Sequence, residues 1–244
     1  MSDLPADSPG VYDVGILQPF VDALPEEEQR SGMVVLFNLV QLHRLVNDFG
    51  GAVALLDHVE IEVKKIQVLR TTQSVLFNRA LHMYKIWSEM AGRDAAATIF
   101  HFGKTIDAIR SGTRKLPTIL NGVDHDRLRA ASKQFHRSFP DYALIRHGAG
   151  HRAESTASIQ SLNKHSEGGT FIFGTIKHRV YTVTFESKHR TLAIDKATRR
   201  ILAQIAKSIY EAFPKLTESL PTILVVEEVD LEASKPDNIS GESC

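Results

Sequence analysis

The chain has 244 residues, 43% apolar and 24% charged, with 29 Lys and Arg against 29 Asp and Glu. This composition excludes a low-complexity or collagen-like chain and fits a globular fold able to build one large core. The only cysteine is Cys244, which excludes an internal disulfide and a cysteine-built metal site and points to a reducing compartment.

No apolar run approaches the ~18–20 residues of a membrane span. Residues 1–10 are acidic and proline-bearing, without the basic and apolar regions of a signal peptide. The sequence therefore reads as cytoplasmic, with no membrane partner. Its charge is unevenly placed. Residues 101–200 hold 18 Lys and Arg, 8 Asp and Glu, and eight of the eleven histidines. A basic middle between acidic ends suits a polyanion such as RNA, unless folding interleaves the charges.

Residues 1–30 form an N-terminal extension with a mobile first dozen residues. Gly15–Phe20 could pack on the body. From Ser31, Val35, Leu39, Leu42, Val46 and Phe49 recur at helical spacing until Gly50-Gly51, which reads as a stop. A second helix is expected over about Ala52–Arg70, with Val59, Val63 and Ile66 on one face. A third, over Thr71–Met90, carries Leu76, Ala80, Met83, Trp87 and Met90 at 4-3-4-3 spacing, which reads as a core seam. Gly92 then interrupts. Asp94 can cap a helix with Ile99, Phe102, Ile106 and Ile109 inward, ended by Ser111-Gly112.

After a turn-rich loop, Asp124 can cap a helix with Leu128, Ala131, Phe135 and Phe139 inward, ended by Pro140. Asp141 can cap the next. Ser155–Gly169 is polar and reads as a loop. Tyr181, Val183 and Phe185 alternate with polar residues, the period of a half-buried strand. Thr170–Ile176 and Thr191–Ile194 read as its neighbours. Asp195 can cap a last helix with Ile201, Ile205, Ile209 and Phe213 inward. Ile223–Val226 could add a short strand before a polar, acidic end.

The fold expected is mainly α: a helical bundle over 31–155, a β-hairpin or meander at about 170–194, and a returning helix at 196–213. Together these make one domain, 31–213, with an acidic C-terminal tail at 214–244.

The densest chemistry lies in Arg146-His147-Gly148-Ala149-Gly150-His151. On a helix, His147, His151 and Glu154 share a face, and Arg146 sits about 100° from His147. Each glycine costs a helix interior about 1 kcal/mol relative to Ala, so two of them imply a close-packed neighbour or an opened helix. Three uses fit. The stretch can be a polar surface face. His147 and His151 can supply two metal ligands, with Glu154 the nearest third. Or an arginine and a histidine can act together on phosphate. The guanidinium binds its oxygens and holds transition-state charge, and the imidazole moves a proton near neutral pH. RNA cleavage by its own 2′-OH needs that pair.

The stretch resembles the Arg-φ-x-x-x-His signature of the HEPN superfamily, where φ is a polar residue. The apolar turn before it, its late position in a bundle, and the strands and helix that follow are similar to the abortive-infection-type, uncharacterised branch. The resemblance implies a helical bundle that often dimerises, with two motifs facing one another in a composite endoribonuclease site. Arg146 would take the motif arginine's role, His147 the polar orienting position and His151 the catalytic histidine. Gly150 directly before His151 departs from a regular helix. The function this implies is a metal-independent endoribonuclease in phage defence or a toxin–antitoxin pair, as a homodimer with a possible antitoxin partner. Many members instead bind RNA, a nucleotide or a protein without catalysis.

Arg152, Lys133 and Arg137 are further candidates for RNA backbone contact, the last two if their helix lies antiparallel to the motif helix. Lys177-His178-Arg179 falls at the expected hairpin turn, where charge is ordinarily solvated. Trp87 reads as core, and His43, His58 and His82 have no evident partner. No glycine-rich phosphate loop, Gly-x-Ser-x-Gly elbow or zinc-type spacing is present, so no cofactor or metal is called for.

Overall fold

The computed structural model describes residues 14–120, 122–150 and 152–223. The acidic tail from residue 224, most of the Ile223–Val226 strand and the first thirteen residues lie outside them. The fold is mainly helical, with a small antiparallel sheet and a helix after it. Its elements are α1 (Gln18–Asp22), α2 (Glu26–Ile66), α3 (Leu69–Thr72), α4 (Ser74–Thr113), α5 (Pro117–Leu120), α6 (His125–Ser138), α7 (Tyr142–Gly150), α8 (Arg152–Ser155), α9 (Ile159–His165), β1 (Phe173–Lys177), β2 (Val180–Phe185), β3 (Lys188–Ala193) and α10 (Lys196–Glu211).

Two long helices form the frame. The pair Gly50-Gly51 does not stop the first, and Gly92 does not interrupt the second. α2 runs 41 residues through Gly50, and α4 runs 40 through Gly92. A glycine costs a helix interior only about 1 kcal/mol, and here tertiary packing fills the missing Cβ positions. A Cβ on Gly50 would lie 2.8 Å from Arg199 Nε, and one on Gly92 would lie 2.3 Å from Tyr181 Cδ2. Gly92 is thus the notch that lets the central strand dock on α4, and Asp94 lies inside α4 where no cap is needed.

The inward faces expected from periodicity are buried. They include Val35, Leu39, Leu42, Val46 and Phe49 on α2, Ile99, Phe102, Ile106 and Ile109 on α4, and Leu128, Ala131 and Phe135 on α6. Ile205 and Ile209 of α10 join the same cluster, and the Tyr210 hydroxyl donates to the Leu39 carbonyl at 2.9 Å, tying the returning helix to α2. Leu17, Val21 and Leu24 before α2, and Leu216 and Leu220 after α10, also enter the core.

Caps act where polar side chains precede apolar runs. The Asp124 carboxylate accepts from Arg127 N–H, and the Asp195 carboxylate accepts from Thr198 N–H at 2.7 Å. Ser158 does the same for α9, a short helix inside the stretch whose polarity reads as a loop.

The sheet order is β1-β2-β3, all antiparallel. Both hairpins turn through non-glycine residues in the left-handed region: His178 and Arg179 (φ 49° and 60°), then Glu186 and Ser187 (φ 51° and 58°). Such residues carry strain of about 1 kcal/mol or more, which must be compensated. Arg179 forks onto Glu60 with two 2.9 Å bonds and also reaches Asp57, so the first turn is bolted to α2. Its charge is therefore structural rather than merely solvated. The second turn is held to α9: Glu186 N–H donates to His165 Nδ1 at 3.2 Å, and the Ser187 hydroxyl donates to the Lys164 carbonyl at 2.7 Å.

One expected core seam is not core. Leu76, Met83 and Met90 of α4 are 52%, 44% and 49% exposed. Their periodicity marks an apolar face, but α2 and β1 cover the other sides of the helix.

Candidate functional site

α7 carries Arg146 and His147 and packs between α4 and β2. Gly148 makes that packing close. A Cβ there would lie 3.0 Å from Val183 Cγ2 and 3.3 Å from Phe185 Cβ. Of the two explanations for paired glycines, close approach holds at Gly148. Gly150 is exposed, and the nearest neighbour to a Cβ there is Arg146 Nη1 at 3.8 Å. On the other side of α7, Gly103 of α4 admits the rings of Phe135 and Tyr142, each within 2.7 Å of its missing Cβ.

These approaches fix one aromatic and cationic face. The Arg146 guanidinium carbon lies 5.3 Å from the centre of the Phe100 ring, and Lys104 Nζ lies 5.6 Å from the same centre. Both fall within cation–π range. The ring's quadrupole attracts each cation to its π-surface. Tyr142 packs at 6.2 Å from Phe100, and His101 at 5.6 Å. Burial, with the Asp107 carboxylate, pushes the Tyr142 phenol above its usual range, so it remains a neutral hydroxyl.

The His147 ring bridges to the sheet. It meets Phe100 edge-on at 6.4 Å and stacks on Phe185 at 6.1 Å. His165 of α9 stacks on the same Phe185 at 4.8 Å. Phe185 thus sits between two imidazoles, with Arg146 and Lys104 two rings away. Because His165 Nδ1 accepts the Glu186 N–H, its neutral ring carries the proton on Nε2.

The remaining candidates are placed as follows. His151 lies outside the described residues. Arg152 begins α8. Lys133 and Arg137 are exposed on α6, whose inward residues are Leu128, Ala131 and Phe135. No group of three or more His, Cys, Asp or Glu among the described residues is placed to hold a metal ion.

Lys104, Phe100, Phe185 and His165 were not singled out by the sequence. One signal could have found the first two. Phe100 and Lys104 stand four apart, as do Tyr142 and Arg146, so each helix offers an aromatic residue followed one turn later by a cation.

No family model matches the chain, and no curated protein or solved structure matches it. Among the described residues no helix is long and apolar enough to cross a membrane.

Proposed function

We propose that the α4–α7 face binds RNA and that the chain is a cytoplasmic, metal-independent endoribonuclease of the HEPN type, serving phage defence or a toxin–antitoxin pair. The observation that supports this most is the placement of Arg146 and Lys104 over one Phe100 ring, with His147 beside it. Two cations held by one aromatic ring suit a phosphate backbone. The guanidinium offers a planar pair of donors, and the ammonium adds a point charge. Cleavage then needs only proton movement. One imidazole takes the 2′-hydroxyl proton as the 2′ oxygen attacks phosphorus, and an imidazolium protonates the departing 5′ oxygen. Arg146 offsets the charge on the non-bridging oxygens. His151 is the histidine assigned to that chemistry, and His147 orients the group. The products are a 2′,3′-cyclic phosphate and a 5′-hydroxyl.

The test is cleavage of unpaired RNA in EDTA by the wild type, Arg146→Ala and His151→Ala. Cleavage lost in both variants supports the reading, and cleavage that persists unchanged in both rejects it.

A second reading has one observation in its favour. Proton transfer in the first reading uses two imidazoles with only His151 assigned, and His147 is packed by rings on two sides, Phe100 and Phe185, an environment that holds it rather than letting it serve as the second. A binding module without catalysis would use the same cations. Tight RNA binding with steep salt dependence and no cleavage of any RNA would select it.

A further inference from the structure

Phe173 is 49% exposed on β1, an edge strand that pairs with β2 alone among the described residues. Sheet edges are ordinarily guarded by charge or proline, because bare apolar edges recruit other chains. Here a ring stands instead, and it is braced. Phe171 meets it edge-on, with centroids 4.6 Å apart.

A bulge decides which way that ring faces. The pairs Lys177–Val180, Ile176–Tyr181 and Thr175–Thr182 keep one register. Continued without a break, that register would set Gly174 against Val183 and put Phe173 on the opposite face of the sheet. The register slips by one residue between Phe173 and Thr175, and Phe173 comes opposite Val183 instead. Gly174, at φ 98°, absorbs the slip. Directly opposed residues share a face, and Val183 faces α7, with its Cγ2 3.0 Å from where a Cβ on Gly148 would lie. The bulge therefore turns Phe173 to the side of the sheet on which the Arg146 helix lies. Re-aiming one side chain is what bulges beside functional sites do.

α7 brings its cation to the same side. Asp141, just before the helix, accepts from Arg190 of β3 at 2.8 Å, Gly148 lies over Val183 of β2, and α7 also touches β1. The helix thus crosses the sheet from β3 towards β1 and ends at Gly150. Arg146 Nη1 reaches to 3.8 Å from the Cβ position of Gly150. One strand spacing, about 5 Å, separates Phe173 from Val183. An exposed aromatic ring therefore stands beside the end of the helix towards which the guanidinium reaches.

We infer that Phe173, braced by Phe171, is a stacking platform for one unpaired nucleobase of the RNA whose phosphate Arg146 and Lys104 hold. The inference rests on the RNA reading of the α4–α7 face and adds what the cations do not supply, a contact to a base. Phosphate contacts position the strand. A flat apolar ring takes the π-face of a base, and every base has one. In a duplex the bases cover one another, so the platform selects unpaired strands. It offers no hydrogen-bonding group to a base edge, so it tolerates all four bases.

The test compares a short single-stranded RNA with a ribose-phosphate strand of the same length that carries no bases. Both are titrated onto the full chain as wild type, Phe173→Ala, Phe173→Leu and Phe173→Trp. Phe173→Ala and Phe173→Leu should bind the RNA on the order of tenfold more weakly. Their salt dependence should keep the wild-type slope, because no phosphate contact is lost. Phe173→Trp should bind at least as tightly as wild type, and its fluorescence above the Trp87 background should be quenched by the stacked base. All four proteins should bind the base-free strand alike. Wild-type affinity for RNA in Phe173→Ala or Phe173→Leu would overturn the platform and leave the phosphate reading standing. So would a loss of the same size on the base-free strand, since that loss does not come from a base. No RNA binding by the wild type at low salt would remove both readings together.

Discussion

The Arg146 guanidinium and the Phe100 ring lie 5.3 Å apart, although 46 positions separate them in the chain. α7 can approach α4 this closely because Gly103 yields its Cβ space to Tyr142, while Gly148 yields its own to Val183 on the sheet side. The site is therefore a product of glycine notches as much as of its charged residues.

Removing the ring should loosen the cations without unfolding the protein. Phe100 is half-buried, and each cation–π contact at such a site contributes about 0.5–1 kcal/mol. Phe100→Leu is expected to weaken RNA binding by roughly three- to tenfold. Titration with a fluorescent single-stranded RNA, alongside a thermal melt, checks both parts. Unchanged affinity would mean that Phe100 does not position Arg146 and Lys104.

The two motif glycines should respond oppositely. Gly148→Ala gains helix propensity but must push Val183 and Phe185, at 3.0 and 3.3 Å, out of place. A net loss of about 1 kcal/mol is expected. Gly150→Ala meets only Arg146 Nη1 at 3.8 Å and should gain a few tenths to about 1 kcal/mol. Urea unfolding of the two single variants decides the matter, and equal effects would contradict the packing described.

Arg179 holds a strained turn to α2, so two substitutions there should differ. Arg179→Ala loses the fork onto Asp57 and Glu60 and keeps a side chain at φ 60°. Arg179→Gly loses the fork but relieves the strain. The alanine variant should be the less stable by about 1 kcal/mol. The reverse order in denaturant melts would show that the left-handed φ at position 179 carries no such strain.

His43 makes the fold sensitive to mild acid. Its Nε2 lies 2.9 Å from Asn47 Nδ2, and its buried Nδ1 has no hydrogen-bond partner. Burial, then the charge of Arg44, lowers its pKa below the usual value of 6.5. The unfolded chain therefore takes up this proton first as pH falls. The stability present above about pH 6.5 is lost as pH falls through that value and on through the lowered folded pKa. His43→Gln should flatten the dependence in that window, as measured by melts at stepped pH. A slope identical to wild type would assign it elsewhere.

The fold was legible wherever an apolar face also had a neighbour to bury it. α6, with Leu128, Ala131 and Phe135, and α10, with Ile205 and Ile209, are such cases. Periodicity specifies a face but not its cover, which is why Leu76, Met83 and Met90 read as core and stand exposed. Glycine is ambiguous in the same way. Gly50 and Gly92 carry the signature of a helix end, but their cost is small enough for one close neighbour, Arg199 or Tyr181, to offset. At the site, Arg146 and His147 announce themselves by local density. Phe100, Lys104, Phe185 and His165 do not, because what assembles them is the crossing of α4, α7 and the sheet, a tertiary fact.

If Lys104 and Arg146 both hold RNA phosphate, the salt dependence of binding reads each contact as a counterion released. Affinity for a single-stranded RNA, measured across a range of salt for the wild type, Lys104→Ala and Arg146→Ala, should fall along a log–log line. Each substitution should reduce the slope by about 0.7, one phosphate contact on a single strand. The control Lys133→Ala, on α6, should leave the slope unchanged. Slopes unaltered in Lys104→Ala and Arg146→Ala, or no measurable RNA binding at low salt, would mean that this face does not hold RNA.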